Sequence, residues 1–142
     1  MRFLLDSDHI SALQWQSGPD WLRLSHHLAQ HAADDLAFSI VSFHEQVLGC
    51  HTYLAKARSA HSLIRGYDLL TRALDAFRVA QVLAFDSSAV AIFTDLQTRR
   101  LRVASMDLRI AAIALSNNLI LVTRNIADFG RIPNLICVNW MA

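Results

Sequence analysis

The stretch "RFLLDSDHIS", residues 2 to 11, runs a short apolar segment directly into two aspartates. The apolar part predicts a buried strand, and the "SDHISALQWQ" after it predicts the start of a helix. Helix capping by Asp6 or Ser7 is a sufficient explanation for the polar residues taken alone, because both residue types are favoured N-caps. Whether Asp6 and Asp8 have a further role depends on what the rest of the chain brings to the same place.

Four more short apolar runs occur along the chain, separated by segments with helical spacing: "LAFSIV", "QVLAF", "LILVT" and "LICVNW". These runs are continuously apolar rather than alternating, which is typical of a parallel sheet covered by helices on both faces. At 142 residues the chain is long enough to bury a substantial core. The sequence therefore predicts a single domain over residues 1–142, an α/β three-layer α/β/α sandwich with a parallel central sheet.

Residues 42 to 77 have helical spacing and predict two antiparallel helices that meet near residues 57 to 62. Most of the apolar residues in this pair are expected to belong to the core: Tyr53, Leu54, Leu63, Ile64, Tyr67, Leu70, Leu74 and Phe77. Any apolar surplus on this helix pair could serve a homodimer, or a partner helix lying in a groove.

The composition excludes several classes of protein. No apolar run approaches the ~20 residues that a membrane span needs, and Arg2 and Asp6 interrupt the N-terminus, so we expect a soluble, cytoplasmic protein without membrane contact. The net charge of +1 gives no overall attraction to nucleic acid. Cys50 and Cys137 lack the CxxC spacing, which favours reduced core thiols over a disulfide or a zinc site.

Carboxylates follow or flank the predicted strands at the positions where a parallel α/β fold places its functional edge. Asp6 follows the first strand and Glu45 the second, Asp128 follows "LILVT", and Asp107 opens the helix that leads into that strand. Each has a local explanation. Glu45 fits a capping box that starts at Ser42, Asp107 is a favourable negative charge at a helix start, and Asp128 could organise a turn before Pro133.

Taken together, the four acids are harder to explain by capping. Clustered carboxylates repel one another and stay ionised only if positive charge lies among them, and Arg124 alone cannot balance them. A hard divalent cation can, and an all-oxygen ligand set favours Mg²⁺ or Mn²⁺ over zinc. Such an ion neutralises charge that builds up on a phosphate, which indicates phosphodiester hydrolysis as the reaction class.

Four motifs of the chain resemble those of PIN-domain ribonucleases of the VapC toxin type, in the same order and over essentially its whole length. They are "FLLDSDHIS", "SIVSFHEQVLG", "SMDLRIAAIAL" and "LVTRNIADFGRIPNLICVNW". The resemblance implies a PIN-like fold and a metal-dependent endoribonuclease with Mg²⁺ or Mn²⁺ as cofactor. It also implies an RNA substrate and a small antitoxin partner, with a homodimer as the expected assembly.

Carried over residue by residue, the resemblance makes Asp6, Glu45, Asp107 and Asp128 the metal-binding catalytic acids. Four further residues match supporting positions that orient ligands or water, namely Asp8, Ser42, Thr123 and Asn125. Ser7 keeps the helix-capping role, and neither His9 nor His44 is needed by the family mechanism.

Two groups of basic residues have weaker functional interpretations. The arginines before and after the acids could contact the RNA backbone, although a charge run is usually a solvated surface: Arg99, Arg100, Arg102 and Arg124. His27 and His31 have the i,i+4 spacing that could hold a metal, but a solvated helix face is the simpler explanation, because the segment lacks the Glu of an HExxH motif.

Other families with acids after a first strand fit less well. Haloacid dehalogenase phosphatases and response-regulator receivers both need a later lysine, and the only lysine here is Lys56, within a predicted helix. The alternative from another class is a non-catalytic, metal-loaded module that binds RNA or a protein partner, which intact acids argue against.

Overall fold

A parallel sheet of five strands forms the centre of the computed structural model, which describes residues 1–142. The strands are β1 (Phe3–Leu5), β2 (Leu36–Ser39), β3 (Val82–Leu83), β4 (Ile120–Val122) and β5 (Cys137–Val138), in the order β3-β2-β1-β4-β5. Every neighbouring pair is parallel, with Leu4 opposite Ala37 on one side and Leu121 on the other. The order reverses around β1, so its carboxyl end lies at the topological switch point.

Helices connect the strands and cover both faces of the sheet. They are α1 (Ser7–Trp15), α2 (Gly18–Leu28), α3 (Ile40–Lys56), α4 (Ala60–Val79), α5 (Ser87–Thr98), α6 (Ser105–Ser116) and α7 (Ile126–Phe129), with a short 3₁₀ turn at Ala33–Asp35. None of these helices is both long enough and apolar enough to cross a bilayer.

Two apolar cores lie on opposite faces of the sheet. Successive side chains of β1 point to opposite faces, so Leu4 joins the core beneath α5 and α6, whereas Phe3 and Leu5 join the core beneath α1, α2 and α4. The first core includes the buried "IAAIA" segment of α6, and the second includes Leu24 and Phe77. The predicted three-layer α/β/α sandwich is therefore confirmed.

The second strand is shorter than the sequence pattern predicts. Ile40 and Val41 belong to α3 instead, because the buried Ser39 is the N-cap of this helix and its Oγ accepts a 3.0 Å hydrogen bond from the Ser42 amide. The expected capping box from Ser42 to Glu45 is therefore wrong, since Ser42 lies inside the first turn.

The antiparallel pairing of α3 with α4 is as predicted, but the expected burial of its apolar residues is wrong. Phe43 contacts Phe77 at one end of the pair and Leu54 lies against Gly66 near the other. Of the eight residues expected in the core, Phe77 alone is buried. Five are exposed, at fractions from 37% to 63%: Tyr53, Leu63, Ile64, Tyr67 and Leu74. Only one side of the helix pair faces the sheet, so its outer side has nothing to pack against within the chain.

Candidate active site

Asp6 lies at the switch point, immediately after β1. Its amide donates to Val122 O at 2.9 Å, which continues the β1–β4 pairing, and its carboxylate caps α1 by accepting from the Ser7 amide at 2.8 Å. The Thr123 hydroxyl donates to the other carboxylate oxygen at 2.7 Å. Burial and the nearby charges of Asp8 and Glu45 raise the pKa of Asp6 to about 7, even though both hydrogen bonds favour its ionised form.

Ser7 does not cap α1, contrary to the expectation from the sequence. Asp6 has that role, and the Ser7 hydroxyl instead donates to Glu45 Oε1 at 2.8 Å. This bond joins the first turn of α1 to α3 and holds the Glu45 carboxylate on the side of Asp6.

Asp8 is held in a different environment from Asp6. It accepts from the Arg124 amide at 3.0 Å, and its other oxygen lies 2.6 Å from His9 Nδ1. Burial raises its pKa, but the hydrogen bonds from His9 and from the Arg124 amide outweigh burial, so the pKa of Asp8 is lowered. Asp8 therefore stays ionised beside the more easily protonated Asp6.

His9 is a fully buried part of this arrangement to which the sequence patterns assign no role. Its Nε2 accepts a hydrogen bond from the Trp140 amide at 3.1 Å, so the ring proton lies on Nδ1 and is donated to Asp8. His9 thereby connects the end of the chain to the acidic edge. In the sequence, only the position of His9 beside Asp8 points to a role for it. That position does not indicate that its hydrogen-bond partner lies 131 residues away.

Asp107 lies in the first turn of α6 and extends the acidic cluster. Burial raises its pKa, and the charges of Glu45, Asp128 and Asp8 raise it further. The structure therefore brings acids from four separate segments within electrostatic range of one another, at the carboxyl edge of the sheet.

Asp128 lies in α7 and is positioned by the helix cap. Asn125 is the N-cap residue; its Nδ2 donates to Asp128 Oδ2 at 3.1 Å, and its Oδ1 accepts from the Asp128 amide at 3.4 Å. The Asn125 amide in turn donates to Thr123 Oγ1 at 3.0 Å. Thr123 therefore connects the two acids: its hydroxyl donates to Asp6 and accepts from the amide of Asn125, which holds Asp128.

Ser42, the remaining predicted supporting residue, makes a different set of contacts. It is fully buried, and its hydroxyl accepts from Ser39 Oγ at 3.1 Å. These contacts place it in the N-terminal cap of α3, where it stabilises the helix that carries Glu45.

The arginines predicted to contact RNA are spread over the molecule. The Arg124 side chain pairs with Asp20 of α2, whereas its amide donates to Asp8. Arg99 pairs with Asp95 at 3.1 Å and lies with Leu115 at the far end of α6 from Asp107. Arg100 and Arg102 are exposed in the connection between α5 and α6.

His27 of α2 and His31, which lies beyond the end of that helix, share an aromatic partner. The rings of His27 and His31 both stack on Trp140, with centroid distances of 5.4 and 5.2 Å and interplanar angles of 3° and 6°. They pack the end of the chain onto α2, and His31 also contacts Phe3 at 4.7 Å.

The chemistry of the acidic edge fits a hard divalent cation. Its ligating atoms are carboxylate oxygens, two of its acids have raised pKa values from burial and mutual repulsion, and the one arginine that pairs with them, Arg131, reaches only Asp128, at 3.5 Å. In the structure as it stands, no three His, Cys, Asp or Glu side chains are grouped closely enough to hold an ion. Uncompensated carboxylates repel, and Ser7 and Thr123 hold two of them, so gathering the acids around a cation requires side-chain rotation.

Comparison with known proteins finds local sequence similarity and similarity of fold. The chain is 49% identical to Ribonuclease VapC2 of Rickettsia felis over 47 residues, which are 33% of this chain and 35% of that protein. The chain thus matches about a third of the length of this curated relative. No family model matches.

Solved structures are similar over nearly the whole chain. A chain of the VapBC2 complex of Rickettsia felis, bound to a DNA fragment from its promoter, has a TM-score of 0.71 at 24% identity, covering 99% of both chains. VapBC-1 of nontypeable Haemophilus influenzae has a TM-score of 0.70 at 23% identity, with complete coverage of both chains. The FitAcB complex of Neisseria gonorrhoeae has a TM-score of 0.71 at 24% identity, with 97% coverage of both. The chain therefore shares the fold of these solved chains over nearly its whole length, and its resemblance to VapC-type ribonucleases is confirmed over the 47 matched residues.

Proposed function

We propose that the protein is a metal-dependent endoribonuclease that hydrolyses RNA phosphodiester bonds and acts as the toxin of a toxin–antitoxin pair. The observation that supports this most directly is the set of acids from four segments that perturb one another at the switch point of the sheet. The local identity to a protein named as a ribonuclease supports the same reaction class.

In this proposal Asp6, Glu45, Asp107 and Asp128 would hold Mg²⁺ or Mn²⁺. The ion would supply positive charge that offsets the charge building up on the phosphodiester. The protein's own contribution is to keep the oxygens in place. Thr123 and the start of α1 hold Asp6, Ser7 holds Glu45, and Asn125 holds Asp128.

Asp8 has a supporting role in this arrangement. Its lowered pKa keeps it ionised, so it adds negative charge close to Asp6 and Asp107 without taking up a proton at neutral pH. The bond to His9 holds one of its oxygens and leaves the other toward Thr123 and the Arg124 amide. Its carboxylate is therefore oriented from two sides before any ligand binds.

We also propose an antitoxin partner and a homodimer, with the outer side of the α3–α4 pair as an interaction surface. Large apolar side chains are exposed there, including Ile64 at 63%, Tyr67 at 59% and Leu74 at 57%. A groove beside them is lined by Phe43, Tyr67, Leu70, Thr71 and Leu74. Exposed apolar area of this kind marks a binding surface, and the similar structures include toxin–antitoxin complexes. A cytoplasmic location, where cellular RNA is available, completes the proposal.

The test is RNA cleavage by the purified protein after any co-purifying antitoxin is removed. Structured RNAs are incubated with Mg²⁺ or Mn²⁺ and, separately, with EDTA. We expect cleavage only with metal, and a loss of about 100-fold or more in Asp6→Asn and Asp107→Asn, since even outer-shell changes at metal sites cost about 10–100-fold. Asp75→Asn, an exposed aspartate of α4, is the matched control and should retain full activity.

Cleavage that persists in EDTA and in both site variants would overturn the assignment. RNA binding without cleavage would instead favour the alternative, a metal-loaded module that binds RNA or a protein without cutting.

A further inference from the structure

A second recess lies beside the acidic cluster and has no role in the proposed metal site. It is called the α3/α6 pocket here and is lined by Ile40, Val41, His44, Phe85, Phe93 and Arg109, with a cavity volume of about 450 Å³. This volume is within the range of about 300–1,000 Å³ that is usual for small-ligand sites.

The pocket adjoins the acids because it uses the same two helices. Val41 lies one helical turn before Glu45, and side chains four apart on a helix are about 5–6 Å from each other. Arg109 follows Asp107 by two residues in α6, so the two side chains leave the same turn of this helix on different sides. A strand of RNA with a phosphodiester at the acids therefore has a neighbouring nucleotide within reach of the pocket.

The pocket wall presents aromatic rings that are not fully covered. Phe85 and Phe93 pack edge to face with centroids 5.8 Å apart and an interplanar angle of 77°, and both are partly exposed. Unpaired bases of RNA are recognised chiefly by stacking on aromatic side chains, which contributes about 1–3 kcal/mol per base.

Arg109 gives the pocket a positive group with hydrogen-bonding capacity to spare. Its guanidinium carbon lies 5.6 Å from the Phe93 ring centroid, and its side chain contacts the Met106 sulfur at 3.6 Å. No carboxylate pairs with it. A purely apolar protein segment in the pocket would bury this charge without a counter-ion, which is costly, whereas an RNA base edge or phosphate supplies acceptors.

From these observations we propose that the α3/α6 pocket binds one nucleobase of the RNA, adjacent to the phosphodiester held at the acids. Phe93 and Phe85 provide the stacking surface, and Arg109 binds the edge or the phosphate of the same nucleotide. The pocket is thus a determinant of which sequence is cut. This inference rests on the proposed ribonuclease function for its substrate class.

The test detects the insertion of a base into the pocket and does not require cleavage of the RNA. Short single-stranded RNAs, each with 2-aminopurine at one position, are titrated with the protein in EDTA, and the fluorescence quenching caused by stacking is measured. We expect quenching at one position, and a loss of affinity of about 5–100-fold in Phe93→Leu and in Arg109→Gln. Trp15→Leu, which removes an exposed aromatic ring at the end of α1, is the matched control and should bind like the wild type.

Phe93→Leu keeps an apolar side chain in the pocket, and Arg109→Gln alters no packed core. If one of the two variants folds poorly, the other still tests the pocket. Unchanged quenching in both well-folded variants would overturn the pocket assignment, as would quenching at no position. So would a variant that changes only the oligomeric state in sedimentation experiments, because the pocket would then belong to an interface between two copies.

The two proposals fail in different ways. Metal-dependent cleavage without quenching leaves the ribonuclease function standing and removes the pocket. Quenching that depends on Phe93 and Arg109, without cleavage under any metal condition, keeps the pocket as a nucleobase site and removes the catalytic function.

Discussion

Asp6 and Asp8 are two residues apart, yet burial and hydrogen bonding shift their pKa values in opposite directions. Asp6 is buried among other carboxylates, so its pKa is raised to about 7. Asp8 receives donors from His9 and from the Arg124 amide, so its pKa is lowered. Separated pKa values in neighbouring acids are a common feature of active sites, because different environments assign them different roles.

Replacement of Asp6 by Asn should stabilise the metal-free protein, increasingly so as the pH rises from about 4 to about 7. The folded state raises the pKa of Asp6 from 3.8 to about 7, so between these values it binds more protons than the unfolded state. Stability of the wild type therefore falls with rising pH in this window, by about 1.4 kcal/mol per unit at most, and Asn avoids the loss.

Urea unfolding of wild type and Asp6→Asn in EDTA, at several pH values, measures this difference directly. Asp75→Asn, which replaces an exposed aspartate of α4, serves as the control. A difference between Asp6→Asn and wild type that does not change with pH would contradict the prediction.

At the scale of elements, strand ends and helix starts coincide at the functional edge. Asp6 caps α1 directly after β1, and Ser39, the last residue of β2, caps α3. Asn125 caps α7 three residues after β4. The same short junctions that satisfy the first amides of each helix also position the acids, which explains why capping and catalytic interpretations of these residues overlap.

Ser39→Ala should destabilise the protein more than Ser42→Ala. Loss of the N-cap oxygen leaves the Ser42 amide unsatisfied in a buried place, at a cost of about 1–2 kcal/mol. Ser42→Ala retains that amide bond and loses only the contact between the two hydroxyls. Urea denaturation midpoints test the order, and a larger effect at Ser42 would restore the capping-box interpretation.

Two glycines on the α3–α4 pair should respond oppositely to alanine. A Cβ on Gly66 would lie 2.3 Å from Leu54 Cδ2 and 2.8 Å from Leu54 Cγ, so the Leu54 side chain or the helices must shift, at about 1–3 kcal/mol. A Cβ on Gly49 meets nothing within 4 Å, so alanine there should stabilise α3 by about 0.5–1 kcal/mol. Thermal unfolding of both variants measures this contrast, and equal shifts would show that the helices are not packed as described.

At the scale of the whole molecule, the fold concentrates negative charge at one edge, where Arg131 pairs with Asp128 and no basic side chain pairs with Asp6, Glu45 or Asp107. A divalent cation that binds the folded state there should raise its stability by about 2.7 kcal/mol at a concentration one hundred times its dissociation constant. The melting temperature of the wild type should therefore rise with Mn²⁺, and that of Asp107→Asn should rise much less. Asp75→Asn should behave like the wild type, and a melting temperature indifferent to Mn²⁺ in all three proteins would argue against the metal site.

The local sequence determined the alternation of strands and helices and the appearance of acids at the strand ends. Continuous apolar runs such as "LILV" favour buried parallel strands through their own chemistry, and the topology then places the residues after each strand at one edge of the sheet. The sequence alone therefore predicted the parallel sheet. It also predicted that Asp6, Asp107 and other acids lie at the same edge of that sheet.

Other features were decided by the tertiary structure, because they depend on which surfaces meet. Helical spacing cannot tell a core face from an exposed one, so the outer side of the α3–α4 pair looked buried in sequence and is exposed in the fold. The choice of Ser39 over Ser42 as cap depends on where β2 ends against its neighbours. The His9 bond to the Trp140 amide joins residues 131 apart. Such contacts reflect long-range packing, and no local pattern of residues encodes them.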